Sequence, residues 1–355
     1  MQFTIHPSVY NTDPRTKGLL HMLEHVWVRG KKPGAGNFYI VSGFSNYNGG
    51  VRFYDVFKRH IDNGGHCLVI LGGSTSQKLS SQQVVTQLLE VGCKVFLINR
   101  KRILHAKCYG YSYLDNQSLV ISSGNFTGPG MSQNVEASLL IEDDYLREMH
   151  FSWDNLIDNI LKQNWDIYEP SLSQPLHPAW RLLYDEFERE IRIEEDQTVT
   201  MLLTLSHSDT ARIQANQGDT SGLGSQYFWL SKDSYDFFPA LTIRNTRGEK
   251  ATYSALIKMD YYDLNERDSE CRVTFEAENN LDFRLGTGRL RYTKLADVED
   301  IAAITRIGDC DYELRVIKKE TDNYTRLIPY AINYIGHQGK KYGYISNSEF
   351  FNLIR

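Results

Sequence analysis

Three short segments of this chain contain side chains that suit phosphate chemistry. His105 and Lys107 are two residues apart, Ser123 and Asn125 end the next apolar run, and Glu136 begins the run after that. An imidazole can attack phosphorus or protonate a leaving oxygen, and a fixed ammonium beside it stabilises the negative charge that develops. These residue types, in this order, therefore indicate phosphoryl transfer.

The spacing of these residues predicts how they are placed. Residues two apart on a strand face the same side, so we expect the His105 imidazole and the Lys107 ammonium to project together. Asn125 and Ser123 can donate hydrogen bonds to nonbridging phosphate oxygens, and Glu136 can accept a proton from the far imidazole nitrogen. A single His-x-Lys tripeptide is a weak signal, because it arises by chance. The ordered set of three segments is the stronger indication.

The same order of motifs, His-x-Lys, then Ser-x-Asn, then Glu, resembles the signature of the phospholipase D superfamily. One position departs from it, because Ser112 stands where the superfamily has an aspartate five residues after the lysine. The chemistry of the superfamily needs two histidines, and the sequence contains a single His-x-Lys motif. The resemblance therefore implies a homodimer in which His105 of each subunit faces the other across a two-fold axis.

Longer segments resemble the BfiI-type restriction endonucleases, and the likeness extends over nearly the whole chain. The segments are 40–54, 70–76, 99–107, 122–134, 225–238 and 274–280. The resemblance implies a phospholipase-D-like nuclease domain joined to a DNA-reading pseudobarrel like that of plant B-three transcription factors. It also implies that a short asymmetric site is read and that the cut falls at a displaced position.

The resemblance also implies a role for each candidate catalytic residue. His105 of one subunit attacks the scissile phosphorus, and His105 of the partner subunit protonates the leaving 3′ oxygen. Lys107 and Asn125 hold the phosphate, Ser123 supports them, and Glu136 orients His105. This mechanism needs neither a metal ion nor another cofactor, so we expect none.

The elements around the catalytic segments alternate between helix and strand. Helical periodicity is present over 19–27, 51–61, 80–91 and 151–166. Strand-like runs cover 37–43, 66–71, 94–99, 106–113, 118–122 and 135–141. This alternation predicts an α/β domain with a mixed sheet and helices on both faces.

A change of composition separates this first domain from a second one. Three prolines and then an acidic run occupy the boundary, which predicts one domain over 1–168, a linker over 169–197 and a second domain over 198–355. By the resemblance, the first is the nuclease domain and the second is the DNA-recognition domain. Short strand-like runs after residue 199, including one at 289–292, predict a β-barrel or a β-sandwich, and the resemblance implies a mainly-β pseudobarrel. The acidic residues of this linker suggest a separate hypothesis, namely that residues 185, 186, 188 and 190 restrain the nuclease by mimicking DNA.

The second domain contains polar loops that can reach base edges in the major groove, and we expect one of them to begin at Arg212. By the resemblance, two arms of the pseudobarrel straddle the groove. The candidate DNA contacts are Arg212, Gln214, Gln226, Trp229, Arg247, Arg272, Asn279 and Lys340.

The overall charge excludes a protein that binds nucleic acid through a uniformly basic surface. The chain has 39 basic and 44 acidic residues and a net charge of −5, so contacts with duplex DNA must come from local patches. Its five cysteines have no metal-binding spacing, which indicates reduced thiols and no zinc site. No signal peptide or apolar run of membrane-spanning length is found, so we expect a cytoplasmic protein without membrane contacts.

Three alternatives remain open at this stage. The chain could be the nuclease subunit of a restriction complex whose separate helicase-like subunit hydrolyses NTP, since it has no Walker motif of its own. A lipid phosphodiesterase would share the chemistry but would normally carry two His-x-Lys motifs and a membrane-facing lid. A noncatalytic DNA-binding regulator would not need the residues around His105.

Overall fold

The computed structural model describes residues 1–6, 9–13, 17–29, 31–187, 199–247, 250–276, 282–335 and 339–354. The chain divides into two compact units, Met1–Glu188 and Arg189–Arg355, called here the N-terminal and C-terminal units. No helix in the described ranges is both long enough and apolar enough to span a bilayer.

The N-terminal unit alternates strands with helices. Its helices are α1 (Gly18–Trp27), α2 (Tyr47–Gly50), α3 (Tyr54–Asp62), α4 (Gln82–Glu90), α5 (Asp143–Glu148) and α6 (Trp153–Leu161). Its strands are β1 (Gln2–His6), β2 (Tyr10–Asn11), β3 (Asn37–Ser42), β4 (His66–Gly73), β5 (Lys94–Asn99), β6 (Lys107–Tyr113), β7 (Asn116–Ser122), β8 (Glu136–Glu142) and β9 (Asp166–Tyr168).

These strands form one mixed sheet, as predicted. The order is β2-β1-β8-β7-β6-β3-β4-β5-β9. Strands β3, β4 and β5 are parallel to one another, and the other pairings are antiparallel. The edge strands β2 and β9 and the neighbouring β1 were not predicted, because they are short and do not alternate clearly between buried and exposed residues.

Helices pack on both faces of the sheet. Neighbouring residues of β3 point in opposite directions, so this strand supplies aromatic side chains to both faces. Phe38 contacts Trp27 of α1 and Phe57 of α3, with ring centroids 6.1 and 6.0 Å apart. Tyr39 points to the other face and stacks on Trp153 of α6 at 4.7 Å. Both tryptophans are almost completely buried. These aromatic layers fix the sheet between α1 and α3 on one side and α6 on the other.

The register of the central strands brings the three catalytic segments to one edge of the sheet. Ser42 at the end of β3 pairs with Lys107 at the start of β6. Cys108 pairs with Ile121, which places Lys107 level with Ser122 at the end of β7. Ser122 pairs in turn with Ser138 near the start of β8. Because these strands are antiparallel neighbours, the ends that carry the candidate residues meet.

The first part of the expected linker belongs to the N-terminal unit. A short 3-10 helix, Pro178–Leu182, buries Ala179 and Leu182 against this unit. The Leu182 carbonyl accepts a hydrogen bond from Ser74 N at 3.0 Å, and Tyr184 exchanges backbone bonds with Ser80 and Gln82. Apolar burial and backbone pairing therefore hold the chain as far as about residue 187, which composition alone did not indicate.

Two acidic residues of this segment are bound within the N-terminal unit. One Glu186 carboxylate oxygen accepts hydrogen bonds from Tyr47 N, at 2.7 Å, and from the Ser81 hydroxyl. Asp185 accepts a bond from the Gln83 amide. Glu188 and Glu190, and the rest of the linker to residue 197, lie outside the described residues. The restraint of the nuclease by this acidic segment stays a prediction.

The C-terminal unit is mainly β. Its helices are α7 (His207–Gln214), α8 (Asp322–Leu327) and α9 (Asn347–Leu353). Its strands are β10 (Val199–Thr204), β11 (Tyr227–Leu230), β12 (Ile243–Arg247), β13 (Lys250–Tyr261), β14 (Glu266–Glu276), β15 (Asp282–Gly286), β16 (Ile301–Arg306), β17 (Asp311–Ile317), β18 (Asn333–Ile335) and β19 (Lys340–Ser346).

These strands form a nearly closed, barrel-like sheet, which confirms the predicted pseudobarrel. The order is β11-β15-β14-β13-β17-β16-β10-β19-β18, and β12 pairs with β13. Only one pairing in the described residues, between β13 and β17, is parallel. Phe237, Phe238, Phe283 and Tyr312 fill the interior between the strands.

Two local predictions for this unit were wrong. The run 289–292 is not a strand, because Gly288–Leu290 forms a 3-10 turn closed by a bond from Leu290 N to Thr287 O. Arg212 does not begin a loop but lies in the last turn of α7. That helix is polar, and its start is set by a capping box between Ser206 and Asp209 rather than by an apolar stripe.

Candidate functional site

His105 and Lys107 lie against each other at the sheet edge. The Lys107 ammonium is 3.0 Å from each of the two imidazole nitrogens of His105 and 3.1 Å from the His105 carbonyl oxygen. Strand β6 begins at Lys107, so His105 precedes the strand. The expected proximity is present, but it arises because the lysine side chain folds back, not because two strand residues alternate.

The two groups differ in their exposure. His105 is exposed, whereas Lys107 is buried. Burial lowers the pKa of Lys107, and the negative charge of Glu136 partly opposes this shift. An ammonium with little access to water gains more from a phosphate oxygen than a hydrated one does. The edge therefore offers an exposed imidazole beside a cation suited to an anionic ligand.

Glu136 makes different contacts from those expected. One carboxylate oxygen accepts a hydrogen bond from the Ser123 hydroxyl, and the other accepts one from the Asn134 amide at 3.1 Å. Ser123 is itself tied to β8, because Ala137 N donates to its hydroxyl oxygen at 3.0 Å. In the described structure of one chain, Glu136 thus contacts Ser123 and acts on Lys107 through charge, rather than bonding to the His105 ring.

Asn125 is oriented by a residue that the sequence analysis did not select. Its side-chain oxygen accepts a hydrogen bond from Phe44 N at 3.3 Å, which leaves the amide NH2 group for a ligand. The ring of Phe44 also stands edge-on to His105, with centroids 6.0 Å apart. Phe44 therefore contacts both catalytic segments. Its signal in the sequence is its place directly after the β3 strand, where α/β sheets position functional loops.

The turn that carries Asn125 is backed by a tightly packed loop. A Cβ on Gly130 would lie 2.4 Å from the Asn125 carbonyl oxygen, so only glycine fits there. The Asn46 side chain accepts hydrogen bonds from Gly128 N at 2.9 Å and from Gly49 N at 3.1 Å. Asn46 thereby joins the start of α2 to this loop, a contact that no sequence pattern predicts.

Three of the candidate DNA contacts converge on Asp209 in the C-terminal unit. Gln226 donates to the Asp209 carbonyl at 2.8 Å, and Trp229 N donates to its carboxylate at 2.8 Å. The Lys340 ammonium donates to the same carboxylate at 2.7 Å. Gln226 and Lys340 are buried, so their polar groups face inward. Asp209 was not selected from the sequence, although its capping-box spacing from Ser206 is visible there.

Other candidates lie on one face of the sheet formed by β11, β15 and β14. Trp229 pairs with Arg284, and Arg284 pairs with Thr274, two residues from Arg272. Side chains two apart share a face, so Arg272, Arg284 and Trp229 point the same way. The Arg284 guanidinium lies 5.5 Å from the Trp229 ring and 5.4 Å from the Tyr227 ring. Arg284 was missed because its position depends on strand register.

Arg212 and Gln214 end α7 and hold neighbouring loops. Arg212 donates to the Leu223 carbonyl at 2.8 Å, and its guanidinium lies 5.6 Å from the Tyr227 ring. This contact places Arg212 beside the sheet face that contains Arg284. Gln214 donates to the Ala296 carbonyl at 2.8 Å, so part of its amide is already used within the unit.

Two candidate DNA contacts lie partly or wholly outside the described residues. Arg247 ends β12, but its side chain lies outside the described part of the structure. Asn279 falls in 277–281, which are also outside the described residues. Among the described residues, no three His, Cys, Asp or Glu side chains are grouped so that they could hold a metal ion.

Comparisons with known proteins match the two units separately. Residues 39–160 match the family described as cardiolipin synthase, PLD-like domain. Residues 193–355 match the family described as metal-independent restriction enzyme BfiI DNA binding domain. No curated protein matches the chain.

Among solved structures, the chain is similar to several proteins at low identity. The phospholipase D family member Nuc from Salmonella typhimurium is 12% identical over 39% of this chain and 86% of its own, with a TM-score of 0.29. NucT from Helicobacter pylori is 16% identical over 35% and 78%, with a TM-score of 0.28.

The two family matches lie in the same order as the two units and together include every candidate catalytic residue and every candidate DNA contact of the sequence analysis. The catalytic candidates fall within 39–160, and the candidate DNA contacts fall within 193–355. These two matches confirm the predicted arrangement, in which a phospholipase-D-like domain precedes a BfiI-type DNA-binding domain in the same chain.

Proposed function

We propose that this protein is a site-specific DNA endonuclease of a restriction-modification system. The N-terminal unit hydrolyses the phosphodiester bond, and the C-terminal unit reads the DNA sequence. The observation that carries the proposal is the group formed by His105, Lys107 and Asn125 at one sheet edge, in the same chain as a BfiI-type DNA-binding domain.

The active site is completed by a second copy of the chain. Hydrolysis through a covalent intermediate needs a nucleophile and a separate proton donor, and the sequence has one His-x-Lys motif. His105 is exposed at the end of the sheet, so its ring is accessible to a second subunit. A two-fold dimer supplies both groups from the same residue.

The first step transfers the phosphoryl group to the protein. A neutral imidazole nitrogen of His105 attacks phosphorus, a P–N bond forms, and the bond from phosphorus to the 3′ oxygen breaks. The leaving oxygen takes a proton from the imidazolium of the partner subunit's His105. Lys107 and the Asn125 amide donate to the nonbridging oxygens and stabilise the charge that develops on them.

The second step regenerates the enzyme. A water oxygen attacks the phosphorus of the phosphohistidine, and the P–N bond breaks. The water proton passes to the partner's His105, whose imidazole became neutral in the first step. The products are a 5′ phosphate and a 3′ hydroxyl. Ser123 and Glu136 support this site by fixing the turn of Asn125 to β8 and by balancing the charge of Lys107. In this scheme the two His105 side chains donate and accept the protons, and Lys107 and Asn125 stabilise the charge, so we expect cleavage to proceed without a metal ion.

Recognition uses the face of the C-terminal unit that contains Arg272, Arg284 and Trp229, with Arg212 beside it. Guanidinium groups read guanine edges and contact phosphates, and the aromatic rings hold Arg284 in place. Gln214, Arg247 and Asn279 remain candidate contacts, whereas the inward-facing Gln226 and Lys340 support these elements. A single copy of this domain reads an asymmetric sequence, so we expect the cut to fall away from the recognised site.

A plasmid cleavage assay tests the proposal. The wild-type protein is expected to produce discrete fragments in the presence of EDTA, and His105→Ala is expected to produce none while it still retards the same DNA in a gel. Loss of wild-type cleavage in EDTA would contradict the mechanism. Cleavage by His105→Ala at the wild-type rate would contradict the assignment of the nucleophile.

Further arms of the assay separate the alternatives. Cleavage that depends on ATP and a cell extract would indicate the nuclease subunit of a complex with a helicase-like NTPase. Hydrolysis of liposomes, without plasmid cleavage, would indicate a lipid phosphodiesterase. Heterodimers with one wild-type and one His105→Ala subunit test whether the two subunits share one active site. They should be inactive, and half of the wild-type activity would contradict a shared site.

A further inference from the structure

Asn125 projects from a turn that is anchored at the residue before it. Tyr109 lies on β6, completely buried beneath the turn, and its hydroxyl donates a hydrogen bond to the Gly124 carbonyl at 2.9 Å. Gly124 has no room for a side chain, because a Cβ there would lie 2.6 Å from the Gly130 carbonyl oxygen. The backbone on this side of Asn125 therefore has one tightly fitted position.

The residue after Asn125 is anchored by Ser42. The Ser42 hydroxyl, buried at the end of β3, accepts a hydrogen bond from Phe126 N at 2.9 Å and donates one to the Phe44 carbonyl at 2.7 Å. Phe44 N in turn donates to the Asn125 side-chain oxygen. Ser42 thus connects the turn to the backbone group that orients the Asn125 amide.

We propose that Tyr109 and Ser42 are positioning residues for Asn125, which keep its amide NH2 group directed at the phosphate. This inference rests on the proposed function, in which that group stabilises the transition state. Neither residue contacts the substrate. They act by fixing the backbone on both sides of Asn125, since a donor displaced by about 1 Å can cost about a hundredfold in rate.

The chemistry of Tyr109 suits a permanent donor. Burial raises the pKa of Tyr109, and the nearby Cys108 and Glu136 raise it further. The phenol therefore keeps its proton over the whole range in which the enzyme works, and the bond to Gly124 does not titrate away.

Tyr39 provides a matched control in the same sheet. It is also a buried tyrosine, and its hydroxyl bonds to Ser112 and Asp154, each at 3.1 Å, at the end of β3 opposite to the candidate active site. Replacement of either tyrosine by Phe removes one hydroxyl and leaves the ring packing unchanged. The two variants differ in whether the lost bond supports Asn125.

The experiment measures kcat and KM of the full-length protein with bis(4-nitrophenyl) phosphate, and single-turnover cleavage of plasmid DNA. For Tyr109→Phe we expect kcat and the cleavage rate to fall about tenfold or more, with KM changed less than about twofold. Tyr39→Phe should stay within about twofold of wild type in both assays. Ser42→Ala provides a second variant and should lose kcat as Tyr109→Phe does.

A double-mutant cycle distinguishes positioning from general destabilisation. In an Asn125→Ala background, the added Tyr109→Phe change should cost less than about twofold, because no amide remains to be positioned. A full additional tenfold loss would overturn the inference, as would wild-type kcat in both Tyr109→Phe and Ser42→Ala. Unchanged activity of Asn125→Ala alone would instead contradict the proposed function of Asn125.

Discussion

The Lys340 ammonium donates a 2.7 Å hydrogen bond to the Asp209 carboxylate inside the C-terminal unit, where both side chains are buried. The same carboxylate also accepts bonds from Ser206 N, the Ser206 hydroxyl and Trp229 N. It therefore joins the start of α7, strand β11 and strand β19. Because these elements carry candidate DNA contacts, one buried acid determines how they are arranged.

Replacement of Asp209 by Ala is expected to destabilise the C-terminal unit. The change leaves the Lys340 ammonium buried without its counter-charge, which typically costs about 3–5 kcal/mol in the free energy of unfolding. Urea unfolding of the full-length protein measures it. The control is Arg267→Met, which removes an exposed cation paired with Asp260 and Asp311 and should cost less than about 1 kcal/mol. Equal losses in the two variants would contradict a special role for the buried pair.

Arg284 is expected to contribute to sequence-specific DNA binding. Replacement by Ala removes a guanidinium that contacts the rings of Tyr227 and Trp229 and forms an ion pair with Glu276, and should weaken specific binding by about 1–3 kcal/mol. Fluorescence anisotropy with a duplex that contains the cleavage site measures the change. Arg315→Ala is the matched control, because Arg315 also stacks on an aromatic ring, that of Tyr262. If both variants bound the site as tightly as wild type, Arg284 would have no part in recognition.

Lys107 is expected to act on the rate of cleavage rather than on DNA affinity. Replacement by Met keeps most of the buried volume but removes the cation beside His105, so the single-turnover rate should fall about 10²- to 10³-fold. Lys94→Met serves as the comparison and should leave the rate unchanged. Lys94 is exposed at the start of β5, at the end of the strands opposite to the candidate active site. A loss of affinity without a loss of rate would show that Lys107 only attracts DNA.

Glu186 is expected to make the stability of the N-terminal unit depend on pH. Burial raises the pKa of this carboxyl above its ordinary value of 4.5, and bonds from Ser81 and Tyr47 oppose the shift. The folded state therefore binds the proton more tightly than the unfolded state does. Its contribution is complete below pH 4.5 and is lost as the pH rises through the raised folded value.

The Glu186→Gln variant isolates this effect. Gln keeps the acceptor oxygen for Tyr47 N and the Ser81 hydroxyl but cannot ionise. Compared with wild type, its free energy of unfolding should fall less as the pH is raised from 4.5 towards neutrality. Parallel curves for the two proteins over this range would show that Glu186 does not titrate differently on folding.

Much of the candidate active site could be predicted from the sequence because its parts lie close together in the chain. The β6–β7–β8 meander joins its strands in sequence order, so residues at their connected ends meet whenever the strands form. The partner of Glu136 could not be predicted in this way. Its choice of Ser123 over His105 depends on side-chain rotamers at the sheet edge, which local patterns do not encode.

The sequence by itself determined the division into two domains, the mixed sheet and the candidate set His105, Lys107, Ser123, Asn125 and Glu136, because composition, periodicity and short motifs are local properties. The pseudobarrel followed from the resemblance of longer segments. Only the tertiary structure decided that residues 178–187 pack on the N-terminal unit and that Gln226 and Lys340 face inward towards Asp209. It also decided that Arg284 joins the face of Trp229. These relationships depend on strand register and on burial between residues from 17 to 131 positions apart, such as Gln226 with Asp209 and Lys340 with Asp209, and so they exist only once the chain has folded.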